Sequence, residues 1–182
     1  MTDKLLKIIN CYGVIPQLEY YHSELWELYE AIKDYEEDYI RVDCDDNMVL
    51  SSLKEHIAEE LGDNFVMLYQ IPLYYYEKLD VHNIAPYEFK TDNYEHIEDI
   101  DEYFKKLQKS IFKLDCAIIV AEEREQDYIS EFQYENIIEA VDEVIYKLMS
   151  IKEYYRIPNK KVQKVGNFKI NRQLERIKNK QK

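Results

Sequence analysis

Two pairs of acids are the residues in this chain whose types and spacing could do chemistry. Glu24 and Glu27, in "SELWELYEAI", stand three residues apart, and so do Glu60 and Asp63, in "KEHIAEELGD". On an α-helix, residues three apart share a face, so each pair projects as a two-carboxylate prong. Two facing prongs make a pocket of hard oxygen, poor in hydrogen-bond donors. Mg2+ or Mn2+ takes such ligands while keeping other positions for water and phosphate oxygens. The chemistry suggested is metal-dependent work on a nucleotide polyphosphate, with Glu27 or Glu60 accepting a proton from water. Gln17, seven residues before Glu24, falls on the same face and offers an amide to a base, while Tyr20 and Trp26 offer rings.

Spacing alone does not single these acids out. Glu-x-x-Glu occurs at 24/27, 27/30, 95/98 and 122/125, about what chance gives in a chain so rich in glutamate. The setting decides, because Glu24 and Glu27 flank Leu25 and Leu28 at the border of an apolar stripe. A second set, Glu122 and Glu125 followed by Glu139 and Asp142, reads as a degenerate repeat of the first or as an accident of composition. Accident is the better account of Glu122 and Glu125.

The elements that must position these acids are helical. Thr2 to Asn10 is expected as a short helix stopped by Gly13. Pro16 suits the first turn of the next helix. Its stripe, Leu18, Tyr21, Leu25, Leu28, Ala31 and Ile32, carries it to about Tyr35, and Asp34 to Asn47 reads as a loop. Ser52 with Glu55 forms a capping-box pattern opening a third helix, which Pro72 should end near Ile71. Gly62 inside that helix costs about 1 kcal/mol relative to Ala, which implies that a facing helix or a ligand approaches the backbone there. Leu73 to Asn93 reads as irregular. Further helices are expected at 94–125, with an interruption, and at 131–155. Pro158 and "NKK" read as a connector, and Gly166 precedes a last helix. "AIIV" at 117–120 reads as buried helix rather than strand. The expected fold is all-α, a bundle of about five to seven helices in one domain. Residues 1–71 carry the acidic motif, 72–130 form an insertion, and 131–182 form a helix and a basic tail.

Bulk properties exclude several classes. A chain of 182 residues can bury a real core. Three glycines cannot supply a phosphate-cradling loop or a dinucleotide fingerprint. The net charge of −13 is split, with +9 from Lys152 to Lys182 and −22 before it. An acidic body repels long nucleic acid. Cys11, Cys44 and Cys116 include no Cys-x-x-Cys pair and are expected as reduced, buried thiols. With no apolar run of membrane length, and a start too short and charged for a secretory signal, a cytoplasmic protein without a membrane partner is expected.

The stretches "IINCYGVIPQLEYYHSELWELYEAI", "HIAEELGDNFVMLYQI" and "VQKVGNFKINRQLERI" together resemble the MazG-like nucleotide pyrophosphohydrolases, the all-α group that includes the dimeric dUTPases. The resemblance covers roughly half of the chain. It implies a helical bundle, commonly a homo-oligomer, in which Glu24, Glu27, Glu60 and Asp63 hold Mg2+. The implied reaction cleaves a nucleoside triphosphate between its α and β phosphates, and Lys169 and Arg172 become candidates for phosphate contact. The interval from Glu27 to Glu60 is longer than is usual in such proteins. "IIEAVDEVIYKLMSIKEYYRI" also resembles the family's second acidic helix, which leaves Glu139 and Asp142 as replacements for, or additions to, Glu60 and Asp63. The alternative from another class is a non-catalytic acidic helical protein that binds a basic partner or mimics nucleic acid.

Overall fold

The computed structural model describes residues 2–41, 47–79, 94–123 and 128–180. Among them are six helices and no strand: α1 (Thr2–Tyr12), α2 (Val14–Arg41), α3 (Asn47–Glu77), α4 (Ile100–Glu122), α5 (Glu131–Tyr154) and α6 (Asn159–Lys180). An isolated bridge joins Leu79 to Ile129. None of the described helices is long and apolar enough to cross a membrane.

The chain ends α1 where the sequence says it must. Gly13 adopts φ 84, a conformation that glycine reaches without steric cost, and its N–H closes the turn on Ile9 O at 2.7 Å. The α2 stripe is buried throughout, from Leu18 and Tyr21 to Ala31 and Ile32. The helix does not stop near Tyr35 but runs to Arg41, which overturns the expected loop over its first part. Tyr35 is the reason: it is buried, stacks on Tyr39 and meets Tyr155 edge-on, so this turn is held by packing that no local signal reveals. Residues 42–46 lie outside the described residues.

The third helix is longer at both ends than the sequence suggested. It begins at Asn47, so Ser52 and Glu55 are interior rather than a cap, and it continues through Pro72 to Glu77. Proline removes one backbone donor from the helix ladder. Here Ile71 and Tyr75, 3% and 0% exposed on either side of it, anchor the helix across the gap. The expected irregular stretch is thus helical over 73–77, and 80–93 lie outside the described residues.

Asp99 caps α4 by accepting from Glu102 N, and Ser130 with Gln133 forms a reciprocal capping box at α5. No break interrupts α4 between Ile100 and Glu122, and "AIIV" lies within it. α4 supplies Leu107, Ile111, Leu114 and Ile118 to the main core. The last helix starts at Asn159, not after Gly166. Gly62 and Gly166 face each other where α3 crosses α6. A Cβ on Gly62 would stand 2.9 Å from Val165 Cγ1 and 3.2 Å from Val162 O, so the close approach inferred for Gly62 is that of a helix. Cys11 and Cys116 are exposed rather than buried, because each falls on the outer face of its helix. Cys44 lies outside the described residues.

Candidate functional site

The crossing at Gly62 and Gly166 sets the geometry of the acids. With no side chain between the backbones, α6 lies close enough for Lys169, one turn beyond Gly166, to reach across α3 to α2. Its ammonium donates to Glu24 Oε1 at 2.6 Å and to Asp63 Oδ2. Glu24, Glu60 and Asp63 each bring a carboxylate oxygen within 4.8 Å of the others. Glu24 and Lys169 are 3% and 4% exposed, so this is a buried ionic cluster rather than a solvated face.

Asn64 locks the two acid-bearing helices in register. Wholly buried, it donates through Nδ2 to Glu24 O at 3.0 Å and to Glu60 O at 2.8 Å. One amide therefore ties the backbone beneath both prongs. Sequence reasoning missed it, although its place four residues after Glu60, on the face between the prongs, is a usable signal.

Charge in the cluster does not balance. One ammonium faces three carboxylates, those of Glu24 and Glu60 buried and that of Asp63 half-buried, with Glu27 beyond them. Burial first, and then the charges of Asp63, Glu24 and Glu27, push Glu60 up to about 7, with Lys169 opposing. Burial likewise raises Asp63 above the ordinary range; the Lys169 hydrogen bond pulls against this and the Glu24 charge adds to it. Burial works against the charge on Lys169 itself, but its bonds to Asp63 and Glu24 outweigh that and raise its affinity for its proton. Glu60 Oε1 lies 3.4 Å from His56 Nε2, whereas Oε2 is buried without a donor. An orphaned carboxylate oxygen beside two other acids is what a bound cation would satisfy, so the donor set fits a hard divalent ion.

The acids form the floor of a pocket of about 570 Å³. Glu27 lines it but is exposed and stands outside the tight group of three. Arg172 and Lys164 line it from α6, and Lys161 does so while paired with Glu55 at 2.8 Å. Phe168, 68% exposed, is a wall that sequence reasoning did not find. Of the expected phosphate contacts, Arg172 faces the pocket, while the ammonium of Lys169 is already engaged by carboxylates.

The remaining expectations fall elsewhere. Gln17 is buried with Oε1 unpartnered and does not line the pocket. Tyr20 lines it beneath Lys169, whose ammonium is 5.6 Å from the ring centre. Trp26 opens onto a different groove, against α4. Glu139 and Asp142, on α5, belong to no group of metal-competent acids among the described residues. Glu139 lines a separate pocket with Lys113 and Glu143. Compared with known proteins, the chain matches no family model, no curated protein and no solved structure.

Proposed function

We propose that this chain is a metal-dependent nucleoside triphosphate pyrophosphohydrolase, releasing nucleoside monophosphate and pyrophosphate. One observation carries the reading: acids from two helices converge with an unsatisfied buried oxygen on Glu60, beneath a rim of Arg172, Lys164 and Lys161. The likeness of the three motif stretches to the MazG-like enzymes supports the reaction class. Glu24, Glu60 and Asp63 would hold Mg2+ or Mn2+, with Glu27 at the mouth. When bound, the ion supplies charge neutralisation and polarisation of phosphoryl oxygen.

The chain's own groups account for the rest. Arg172 and Lys164 present positive charge to a polyphosphate that the acids alone would repel. Glu27 and Glu60 both line the pocket and are the two candidate bases for taking a proton from water. Asn64 fixes the backbone under Glu24 and Glu60, so their carboxylates are ordered before substrate arrives.

The test is release of pyrophosphate against orthophosphate from a panel of canonical and modified nucleoside triphosphates, with and without Mg2+ or Mn2+. Metal-dependent pyrophosphate release that disappears in Glu24→Gln, with helical circular dichroism unchanged, is the expected result. A second reading is favoured by the contact between Lys169 and Glu24: the cluster is a buried salt bridge in a non-catalytic interaction protein. Silence across the panel with both metals would establish that reading over the first.

A further inference from the structure

We propose that α4 and α5 are a second copy of α2 and α3, related to them by an internal two-fold, and that this copy holds a disarmed version of the acidic site. Three observations meet. The first is sequence laid on structure. At one fixed offset α2 runs onto α4, so that Leu28, Ala31 and Ile32 fall on Leu114, Ala117 and Ile118. At a second fixed offset α3 runs onto α5, with Ile57, Leu68, Ile71 and Tyr75 falling on Ile137, Leu148, Ile151 and Tyr155. The paired positions are core positions in both halves: Leu28 with Leu114, Leu68 with Leu148 and Tyr75 with Tyr155 are all buried.

The second observation is a pair of cross-ties. Tyr75, on α3, donates to Glu122 on α4 at 2.9 Å, and Tyr155, closing α5, donates to Glu36 on α2 at 2.8 Å. The offset that takes Glu36 to Glu122 is the one that aligns the helices, and the offset that takes Tyr75 to Tyr155 likewise. Each half therefore reaches into the other by the same bond, as a two-fold requires and as a tandem array does not. At the groove where α2 meets α4, Trp26 stands with its equivalent Phe112, and Leu25 with its equivalent Ile111.

The third observation is the site itself. In this register Glu24 becomes Ser110, Glu27 becomes Lys113, Glu60 becomes Ala140, and only Asp63 keeps its acid, as Glu143. These residues still meet. Ser110 Oγ donates to Glu143 Oε1 at 2.7 Å and Lys113 Nζ to Oε2 at 2.8 Å. Lys113, Glu139, Ala140 and Glu143 line a pocket of about 380 Å³, where Glu27, Glu59, Glu60 and Asp63 line the acidic one. An ammonium from within the chain answers Glu143, and the Lys113 hydrogen bond holds that carboxyl below the usual carboxylate range. The acids Glu122, Glu139 and Asp142 are thus not the counterparts of Glu24, Glu60 and Asp63; the repeat is there, in a different register.

The copy relation stands on the sequence offsets, the packing and the cross-ties, while cation binding in a restored half rests on reading the acidic pocket as a cation site. Two measurements separate them. In the first, residues 108–118 are replaced by the sequence of 22–32, in register and, as a control, shifted by one position. The in-register graft is expected to unfold cooperatively on heating like the parent, and the shifted graft to lose cooperative unfolding. Equal loss in both overturns the copy relation. In the second, Mn2+ binding is followed by electron paramagnetic resonance in three proteins: the parent, Glu24→Gln/Glu60→Gln, and that variant carrying Ser110→Glu, Lys113→Glu and Ala140→Glu. Binding is expected in the parent, absent in the second and regained in the third. A milder Lys113→Glu alone, in the same disabled background, should show an Mn2+-dependent rise in melting temperature. A parent that binds while both restored variants stay silent overturns the disarmed site. A parent that does not bind overturns the metal reading of the first pocket and leaves the graft to judge the copy.

Discussion

Glu60→Gln makes the charge imbalance of the acidic cluster measurable. Glu60 is 8% exposed, and its carboxyl is raised from the ordinary 4.5 to about 7, by burial above all and then by neighbouring acids. A raised acid favours the protonated form in the fold. Below the ordinary value both states hold the proton and stability is unaffected. As pH rises toward about 7 the unfolded chain releases its proton first, so stability falls; above that the deficit is constant. At 1.36 kcal/mol per unit it amounts to ~3 kcal/mol. Glutamine removes the charge, keeps the shape and turns amide donors toward Glu24 and Asp63. In chelator at pH 8 the variant should therefore be more stable by ~3 kcal/mol, a melting temperature higher by about 6–12 °C for a chain of this size. Near pH 4.5 the advantage should shrink to well under 1 kcal/mol. Urea denaturation and thermal scans at both values decide it. A variant that is neutral or destabilised at pH 8, or equally stabilised at both, would refute the reasoning.

Three further outcomes follow from the same geometry. Lys169→Met leaves Glu24 and Asp63 without their cation; in chelator the loss should be about 3–5 kcal/mol at pH 8, and added Mn2+ should recover more melting temperature than it adds to the parent. Asn64→Ala removes the amide that bonds Glu24 O and Glu60 O and should cost about 2–3 kcal/mol by denaturation. It should also weaken Mn2+ binding by calorimetry. Gly62→Ala sets a methyl 2.9 Å from Val165 Cγ1; despite a helix-propensity gain of about 1 kcal/mol, overpacking of about 1–3 kcal/mol should leave a net loss or no gain, whereas an exposed helical glycine would gain the full amount.

What could be read from sequence was local and periodic. The stripe of α2 gave its buried face, and the cost of a mid-helix glycine pointed to the close approach at Gly62. Gly166 misled for a related reason: read as a boundary, it is the partner of Gly62, and only the crossing of two distant segments reveals that. Pro72 is tolerated because Ile71 and Tyr75 are packed by helices remote in sequence. The pairing of Lys169 with Glu24 spans 145 residues and that with Asp63 spans 106, separations over which spacing carries no information. The acids themselves were legible as two prongs on two helices. That one of them, Glu27, faces solvent was not, because a stripe's border position leaves open which side of it the neighbouring helix covers.

The ammonium of Lys169 in the acid cluster bears on which ions can enter. Tethered to α6, it is a competitor that cannot be diluted, with an effective local concentration fixed by the fold rather than by the solution. A free potassium or sodium ion brings no more charge than this ammonium and must give up its translational freedom to take its place. A divalent ion brings twice the charge to three carboxylates that one ammonium leaves unbalanced. If the cluster takes a cation, as proposed, it would act as a filter on valence, disfavouring the abundant monovalent cations and favouring divalent ions.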